Sequence, residues 1–454
     1  MTQNEATELL NSIERERVNT LHDLYLVTGQ LNSRTNDPVD SWTFFQWLQN
    51  KGIPSRYIIW KEHFMYQKLL STNSTKDVVA LDGDGMDYEL LVKHADLLKR
   101  CRAFVQENAA LNYDIHNWLY LLPDCRLVFL QHGPTGVGSS KLTWLHFPRF
   151  NDMNVNSAFE KQLVESLMPE PKWSEDLCFI GGLPRYDHCQ DLSREISDNY
   201  IFVMFTWRRS FEQGVERIHQ SHYWKKITAF FSSERIHLLE EKNVKLVVAM
   251  HHHIQNHIEG FDLGPNVKFI RQDEIAYWIR HAKACITDCS SVSYDFLFQH
   301  KPTMYWIPDK DDPLLDINDS DDGAKVIAAI KFQKHLFNIC NSAEELTEKI
   351  LYYANRDFQL EPELISKTDK FFDCRSGFSE RVYYQIENRL SAEAQGTIRS
   401  LREKQHEADE RERLTRLSFQ KLSEKNHKHL LWLRFFAYLC FILLSVIIYL
   451  LTHE

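Results

Sequence analysis

The sequence predicts an α/β chain: two blocks of parallel sheet facing a cleft, then a charged helical stalk and one transmembrane helix. Three observations predict it. Short apolar runs of strand type alternate with helical patterns in two separate stretches, and such alternation means parallel sheets covered by helices. A Pro-free segment rich in Glu, Arg, Lys and Gln follows, Arg389–His429. Beyond it, Phe435–Leu451 runs 17 residues without a charge.

Taken in order, residues 1–30 read as helix, with Leu9, Leu10, Ile13, Val18, Leu21 and Leu24 on one stripe. Tyr57–Trp60, Val78–Leu81, Ala103–Val105 and Leu127–Gln131 are strand candidates. Helical patterns lie between them: Ser41–Lys51, His63–Leu70, Asp87–Arg100 and Asn112–Leu122. After about residue 195 the alternation resumes. Strands are expected at Tyr200–Phe205, Val244–Met250, Val267–Ile270, Ala284–Thr287 and Thr303–Ile307. Helices are expected at Gly214–Ser232, Ile275–Ala282, Ser291–Gln299 and Ala343–Asn355. Two such blocks suggest two Rossmann-like domains, 1–190 and 191–386, with ligands at the carboxyl ends of strands. The stalk, 387–429, has only a ragged apolar stripe and no sustained heptad. The span, 430–452, gains Leu430–Leu433 with Arg434 snorkelling, enough to cross a hydrocarbon core. A buried core helix is the plain alternative.

Composition narrows the function. The net charge of −10 argues against binding nucleic acid through bulk charge. Nine Cys include no C-x-x-C pair, which reads as reduced thiols, mostly core, in a cytosolic domain. With 15 Gly and 13 Pro in 454 residues, no long flexible linker is expected. The amino end has neither a basic nor an apolar region of signal-peptide type. Seven Lys or Arg against two Glu between Arg411 and Arg434 place the bulk of the chain on the cytoplasmic side of the span.

Three motifs carry chemistry. The first, Leu130-Gln131-His132-Gly133-Pro134-Thr135-Gly136-Val137-Gly138, puts an imidazole at the carboxyl end of a strand, beside glycines that allow close contact. It has the glycine spacing of a phosphate-binding loop, but Ser139 stands where that loop needs Lys, so an NTPase is rejected. The second is a strand ending in His251-His252-His253, with His257 beyond. His253 and His257 binding a metal, a single functional His, and a solvated loop remain open. The third, Ile286-Thr287-Asp288-Cys289-Ser290-Ser291-Val292-Ser293-Tyr294-Asp295, runs a strand into a helix start. Ser290 or Ser291 suits the N-cap, and free N–H groups there attract anions. Asp295, one turn on, can accept from ribose hydroxyls. Two smaller pieces lie between: the turn Gly182-Leu183-Pro184-Arg185-Tyr186-Asp187 and the strand end Thr206-Trp207-Arg208.

In this order these pieces resemble the CDP-glycerol glycerophosphotransferase family, the teichoic-acid primase and polymerase type with its capsule-polymer relatives. The matches are His132-Gly133, Gly182 to Asp187, Thr206-Trp207-Arg208, His251, Ile286 to Asp295, Lys301-Pro302, and further on Asp373, Gly377, Ser379 and Arg381-Val382. Phe205, Ala249, His252 and Cys289 depart from the family's Pro, Lys, Pro and Tyr, and Pro134-Thr135-Gly136 replaces its usual Thr-Pro-Leu. The resemblance implies a GT-B-like fold with the acceptor on 1–190 and the donor nucleotide on 191–386. It implies transfer of a polyol-phosphate, glycerol-phosphate first, from a CDP-polyol to a hydroxyl of a lipid-linked or glycan acceptor, releasing CMP. His132 is the expected base and His251 the expected partner of the phosphates and leaving group. Gly133, Arg185, Thr206, Arg208, Asp288, Ser290, Ser291 and Asp295 are the expected substrate contacts. No cofactor and no metal are expected, and no nucleic acid. The expected place is the bacterial cytoplasmic membrane, held by the C-terminal helix, with self-association through the stalk. A nucleotide-sugar-dependent capsule polymerase and a non-catalytic membrane-tethered scaffold are the rival readings.

Overall fold

The structure, a computed structural model, describes residues 3–17, 19–29, 39–82, 93–107, 125–135, 150–167, 177–206, 208, 220–249, 264–288, 290–310, 327 and 329–390. The chain up to Ser391 is one compact unit and Ala392–Glu454 is another; the expected span and the stalk from Ala392 on belong to the second and lie outside the described residues, whereas 387–390, expected in the stalk, close the last helix of the first unit. No described helix is long and apolar enough to cross a membrane.

The first block opens with α1 (Gln3–Arg17) and β1 (Leu24–Thr28). Next come α2 (Val39–Asn50), β2 (Ser55–Trp60), α3 (Phe64–Ser71) and β3 (Val78–Leu81). It closes with α4 (Ala95–Arg100), β4 (Cys101–Gln106), β5 (Arg126–Phe129), β6 (Asp152–Val155), α5 (Ala158–Leu167) and β7 (Cys178–Ile180). The strands form one sheet in the order β3-β2-β1-β4-β5-β6-β7, and every pairing is parallel. Helices cover both faces, so the central strands are buried throughout, as parallel strands must be.

The second block has β8 (Asn199–Met204), α6 (His222–Phe230), α7 (Ser233–Glu240), β9 (Val244–Ala249) and β10 (Val267–Ile270). It continues with α8 (Ile275–His281), β11 (Ala284–Thr287), α9 (Val292–Phe298), β12 (Thr303–Trp306) and β13 (Ile339–Cys340). Helices α10 (Ala343–Ala354), α11 (Pro362–Asp369) and α12 (Phe378–Arg389) follow. Its sheet is also parallel, in the order β10-β9-β8-β11-β12-β13. The strand order reverses between β1 and β4 in the first sheet and between β8 and β11 in the second. Ligand crevices of such sheets open at those reversals, outside the carboxyl ends.

The expected helix over residues 1–30 needs correction. It ends at Arg17, and Leu24–Thr28 is a central strand of the first sheet. Leu21 is 75% exposed, which breaks the proposed stripe. A short, wholly apolar run such as Leu-Tyr-Leu-Val fits a helix stripe or a buried strand equally well by periodicity. The strand β7, only three residues long, is too short to give a run, and β6 escapes detection for the opposite reason. Asp152 and Asn154 interrupt the apolar pattern, yet both are buried and bonded.

The chain returns to the first sheet at its end. Val382 and Ile386 of α12 pack with Tyr25, Val27, Phe44 and Tyr57. The Glu387 carboxylate accepts both Arg102 donors (2.8 and 2.6 Å) and the Tyr25 hydroxyl. Arg389 and Arg126 share Asp152. Val382 and Ile386, at the end of the second expected domain, therefore complete the core of the first sheet. A further apolar cluster, with Leu183, Tyr186, Tyr294, Leu297, Phe372 and Phe378, joins the turn after β7 to α9 and the approach to α12.

Candidate active site

The strand β5 ends in a loop under strain. Gln131 is left-handed at φ 68° although it is not glycine, a conformation that persists only where surroundings hold it. Here they do. The Gln131 amide donates to Glu160 Oε1 at 3.1 Å and to the Asn154 carbonyl. The same Glu160 oxygen accepts the Thr135 N–H, the other oxygen accepts Asn156 N–H at 2.7 Å, and the Thr135 hydroxyl donates back to Gln131 Oε1 at 3.2 Å. Glu160 thus brackets the loop on both sides of His132 and Gly133. Burial pushes its carboxyl up to about 7, against the pull of those hydrogen bonds.

His132 is an exposed residue of this loop, between buried Gln131 and half-buried Gly133. Desolvation, aided by the Arg185 cation, lowers its pKa to about 4. At neutral pH the ring is uncharged, with a lone pair for a proton. Gly133 is needed for a close approach. A Cβ there would lie 2.3 Å from Ser291 Oγ and 2.5 Å from Ser291 Cβ. The His-Gly loop of the first sheet and the Ser290-Ser291 turn of the second therefore touch.

The turn Gly182–Asp187 explains itself residue by residue. Gly182 is left-handed at φ 77°, and the Phe378 ring fills the place a Cβ would take. Pro184 opens a short 3-10 turn, Pro184–His188. Asp187 caps α12, its two oxygens accepting Phe378 N–H (2.8 Å) and Ser379 N–H (2.9 Å). Gly377, at φ 69°, supplies the N-cap backbone. The two distant sequence signatures are thus halves of one joint.

Arg185 is the hub of the site. Its Nε donates to Asp295 Oδ1 at 2.8 Å. Its Nη1 donates to Asp40 Oδ2 at 2.9 Å and to the His132 carbonyl at 3.0 Å. Its own backbone N–H reaches Asp40 Oδ1 at 2.9 Å. One guanidinium thereby ties α2, the His132 loop and α9 together. Asp295 turns to Arg185 rather than into open cleft, and burial raises its carboxyl while Arg185 opposes the rise. Behind Asp40, the Glu107 carboxylate accepts the Ser41 N–H (2.9 Å) and hydroxyl (2.7 Å). Burial and the Asp40 charge push Glu107 up to about 8; burial, offset by Arg185, pushes Asp40 up to about 6.

On the second sheet, β8 and β11 deliver Thr206 and Asp288 to the reversal point. Thr206 N–H donates to Asp288 Oδ1 at 2.8 Å, and the Thr206 hydroxyl is buried without a hydrogen-bond partner among the described residues. Arg208 is 1% exposed. It makes a bidentate pair with Asp309 (2.7 and 2.8 Å), reaches Asp288 at 2.9 Å, and lies over the Tyr223 ring. In this structure it faces those carboxylates, and its geometry is that of a brace for Asp288. Ser291 occupies the N-cap of α9 but makes no side-chain cap; Ser290 Oγ accepts Val292 N–H instead, at 3.3 Å.

The structure brings together His132, Gly133, Arg185, Ser291 and Asp295, and separately Thr206, Arg208 and Asp288. His251, with His253 and His257, lies outside the described residues. Asp40, Glu107, Glu160 and Asp309 escaped sequence reasoning. Glu107 and Asp309 each carry a signal, as carboxylates two residues past the expected strands Ala103–Val105 and Thr303–Ile307. No described group of His, Cys, Asp and Glu has the arrangement of a metal site.

The sequence model of the CDP-Glycerol:Poly(glycerophosphate) glycerophosphotransferase family matches residues 154–388, slightly more than half of the chain. The chain belongs to that family. The match runs from β6 to the end of α12, and so includes the Asp187 joint and the whole second sheet. The minor teichoic acid biosynthesis protein GgaB of Bacillus subtilis (strain 168) is 23% identical over 350 residues, 68% of this chain and 36% of that protein. The chain thus spans little more than a third of the curated relative it matches. Structures of the wall teichoic acid polymerase TagF superpose with TM-scores of 0.54 and 0.58 at 12% identity, covering 86% of this chain and 98% of theirs. The UDP-GlcNAc 2-epimerase of Methanocaldococcus jannaschii follows at 0.51 and 12% identity, covering 80% and 99%. At such identities the likeness is one of fold, and it is the GT-B-like pair of parallel sheets expected above.

Proposed function

We propose that the chain transfers a polyol-phosphate, glycerol-phosphate first among them, from a CDP-polyol to a hydroxyl of a membrane-linked acceptor in cell-surface polymer synthesis. The observation that carries this reading is the contact of Gly133 with Ser291, within a chain of this family. It sets the expected base against the expected donor side. In the reaction the acceptor oxygen attacks the phosphorus that bears the polyol. The bond to the bridging oxygen breaks, and CMP leaves with that oxygen. The hydroxyl proton passes to neutral His132, a role worth roughly 10²–10⁴ in rate. The Thr206 hydroxyl, Ser290 and Ser291 offer donors to the diphosphate, and His251 assists the leaving group. Arg185, Arg208, Asp288 and Asp295 hold these groups in register. No metal enters this scheme.

The acceptor is assigned to 1–190 and the donor nucleotide to 191–386. The segment 430–452 is assigned as a single membrane anchor with both sheets on the cytoplasmic side, where activated nucleotide donors are made. The test is incubation of the purified full chain with CDP-glycerol, CDP-ribitol and nucleotide sugars, each with and without a lipid-linked acceptor. Acceptor-dependent release of CMP from a CDP-polyol is expected. Turnover of a nucleotide sugar alone would move the chain to the capsule-polymerase reading.

A further inference from the structure

Asp40 is fully buried in the first turn of α2, and both its oxygens are spent on one residue, Arg185. That pairing fixes the backbone and the guanidinium of Arg185 at once. The same Nη1 that meets Asp40 also holds the His132 carbonyl, and Nε holds Asp295. We propose that Asp40 is a positioning residue: acting through Arg185, it sets the His132 main chain and the α9 helix in one arrangement. The inference rests on the reading of His132 as base. Asp40 touches no reacting atom.

Arg185 carries five donors in a rigid fork. With Asp40 present, three directions of that fork are occupied by groups from three elements. Without it, the guanidinium keeps Asp295 on α9 but has no carboxylate on the first sheet. It is then free to follow α9, and the His132 carbonyl loses a fixed donor. A misplacement of about 1 Å at a reacting group lowers rates by roughly 10².

Protonation of Asp40 should act as its removal does. The charged and titratable groups around it are Arg185, Glu107, Asp295 and Tyr186, with the Tyr57 hydroxyl behind Ser41 and His132 on the far side of the guanidinium. Asp40 titrates at about 6, whereas Glu107 stays protonated up to about 8 and His132 gains its proton only near 4. Glu160, at about 7, braces the same loop from its other side, so the acid limb that Asp40 supplies is the part near pH 6 that Asp40→Asn removes.

The experiment measures CMP release by the full chain as Asp40→Asn, Arg185→Lys, the double variant and His132→Ala, from pH 5 to 9. Donor KM and thermal midpoint are recorded for each. For Asp40→Asn we expect a fall in kcat of about 10- to 100-fold, donor KM within about threefold, and loss of the limb near pH 6. The double variant should be no slower than Arg185→Lys alone, because one path carries both effects. A wild-type rate in Asp40→Asn overturns the inference. So does a lowered rate with the limb intact, or multiplicative losses in the double variant, since each describes damage to folding alone. If His132→Ala turns over normally, it is the assignment of the base that fails.

Discussion

Gly133 leaves no room for an added atom. A methyl group there meets Ser291 Oγ and Cβ, both well inside contact distance. Gly133→Ala should therefore lower the thermal midpoint by several degrees and kcat by at least about tenfold, because the two halves of the site must part. Ser291→Gly in the same chain removes both clashing atoms, so it should recover the midpoint. Failure to recover would mean that Gly133 serves backbone freedom instead. Glu107 makes a prediction of a different kind. Its carboxyl has a pKa near 8 in the fold against 4.5 when unperturbed. Between those values the folded chain binds the proton and the unfolded chain has lost it. Its contribution is fully present below about 4.5, falls as pH rises, and is gone above about 8. Glu107→Gln keeps an acceptor for Ser41 and cannot ionise. It should match the wild type in thermal midpoint near pH 5 and exceed it above pH 8.5. A constant offset at all pH values would contradict the assignment. Glu160 titrates in the same direction, so part of the slope should survive.

At the level of elements, what the sequence made legible depended on how apolar each strand is. The expected strands agree with β2, β3, β4, β5, β8, β9, β10, β11 and β12 within about two residues, because an uninterrupted apolar run between polar turns has few other readings. Strand β1 reads as helix, since its apolar residues continue an existing helical stripe. Strand β6 is hidden, since Asp152 and Asn154 carry no visible penalty in sequence when an arginine and a backbone carbonyl await them in the fold; β7 and β13 are too short to give a run. The site divides likewise. Residues at carboxyl ends of recognised strands, His132, Thr206 and Asp288, were placed correctly at strand ends. Their partners Asp40 and Glu160 come from helix starts with no periodic signal. The orientations of Arg208 and Asp295 were equally hidden. Each has an ion-pair partner from a distant part of the chain, and a sequence does not show which carboxylate a guanidinium will choose.

For the whole molecule, two parallel sheets are joined by the Asp187–α12 joint and by Arg185, and both reversal points supply residues to the site. The assigned anchor makes its own prediction. The full chain should stay with membranes through high salt, because a single apolar helix does not depend on charge, whereas a charge-bound protein washes off. Recovery in the salt-washed supernatant would remove the anchor and leave the chemistry untouched. The central claim is that neutral His132 takes the acceptor proton while the donor sits against the second sheet. It is tested most directly by comparing the wild type with His132→Ala in acceptor-dependent CMP release from CDP-glycerol, with donor affinity measured by calorimetry. The account predicts a loss of about 10²–10⁴ in kcat with the donor Kd within about threefold. Near-normal turnover by His132→Ala, or loss of donor binding that accounts for the whole effect, would contradict it.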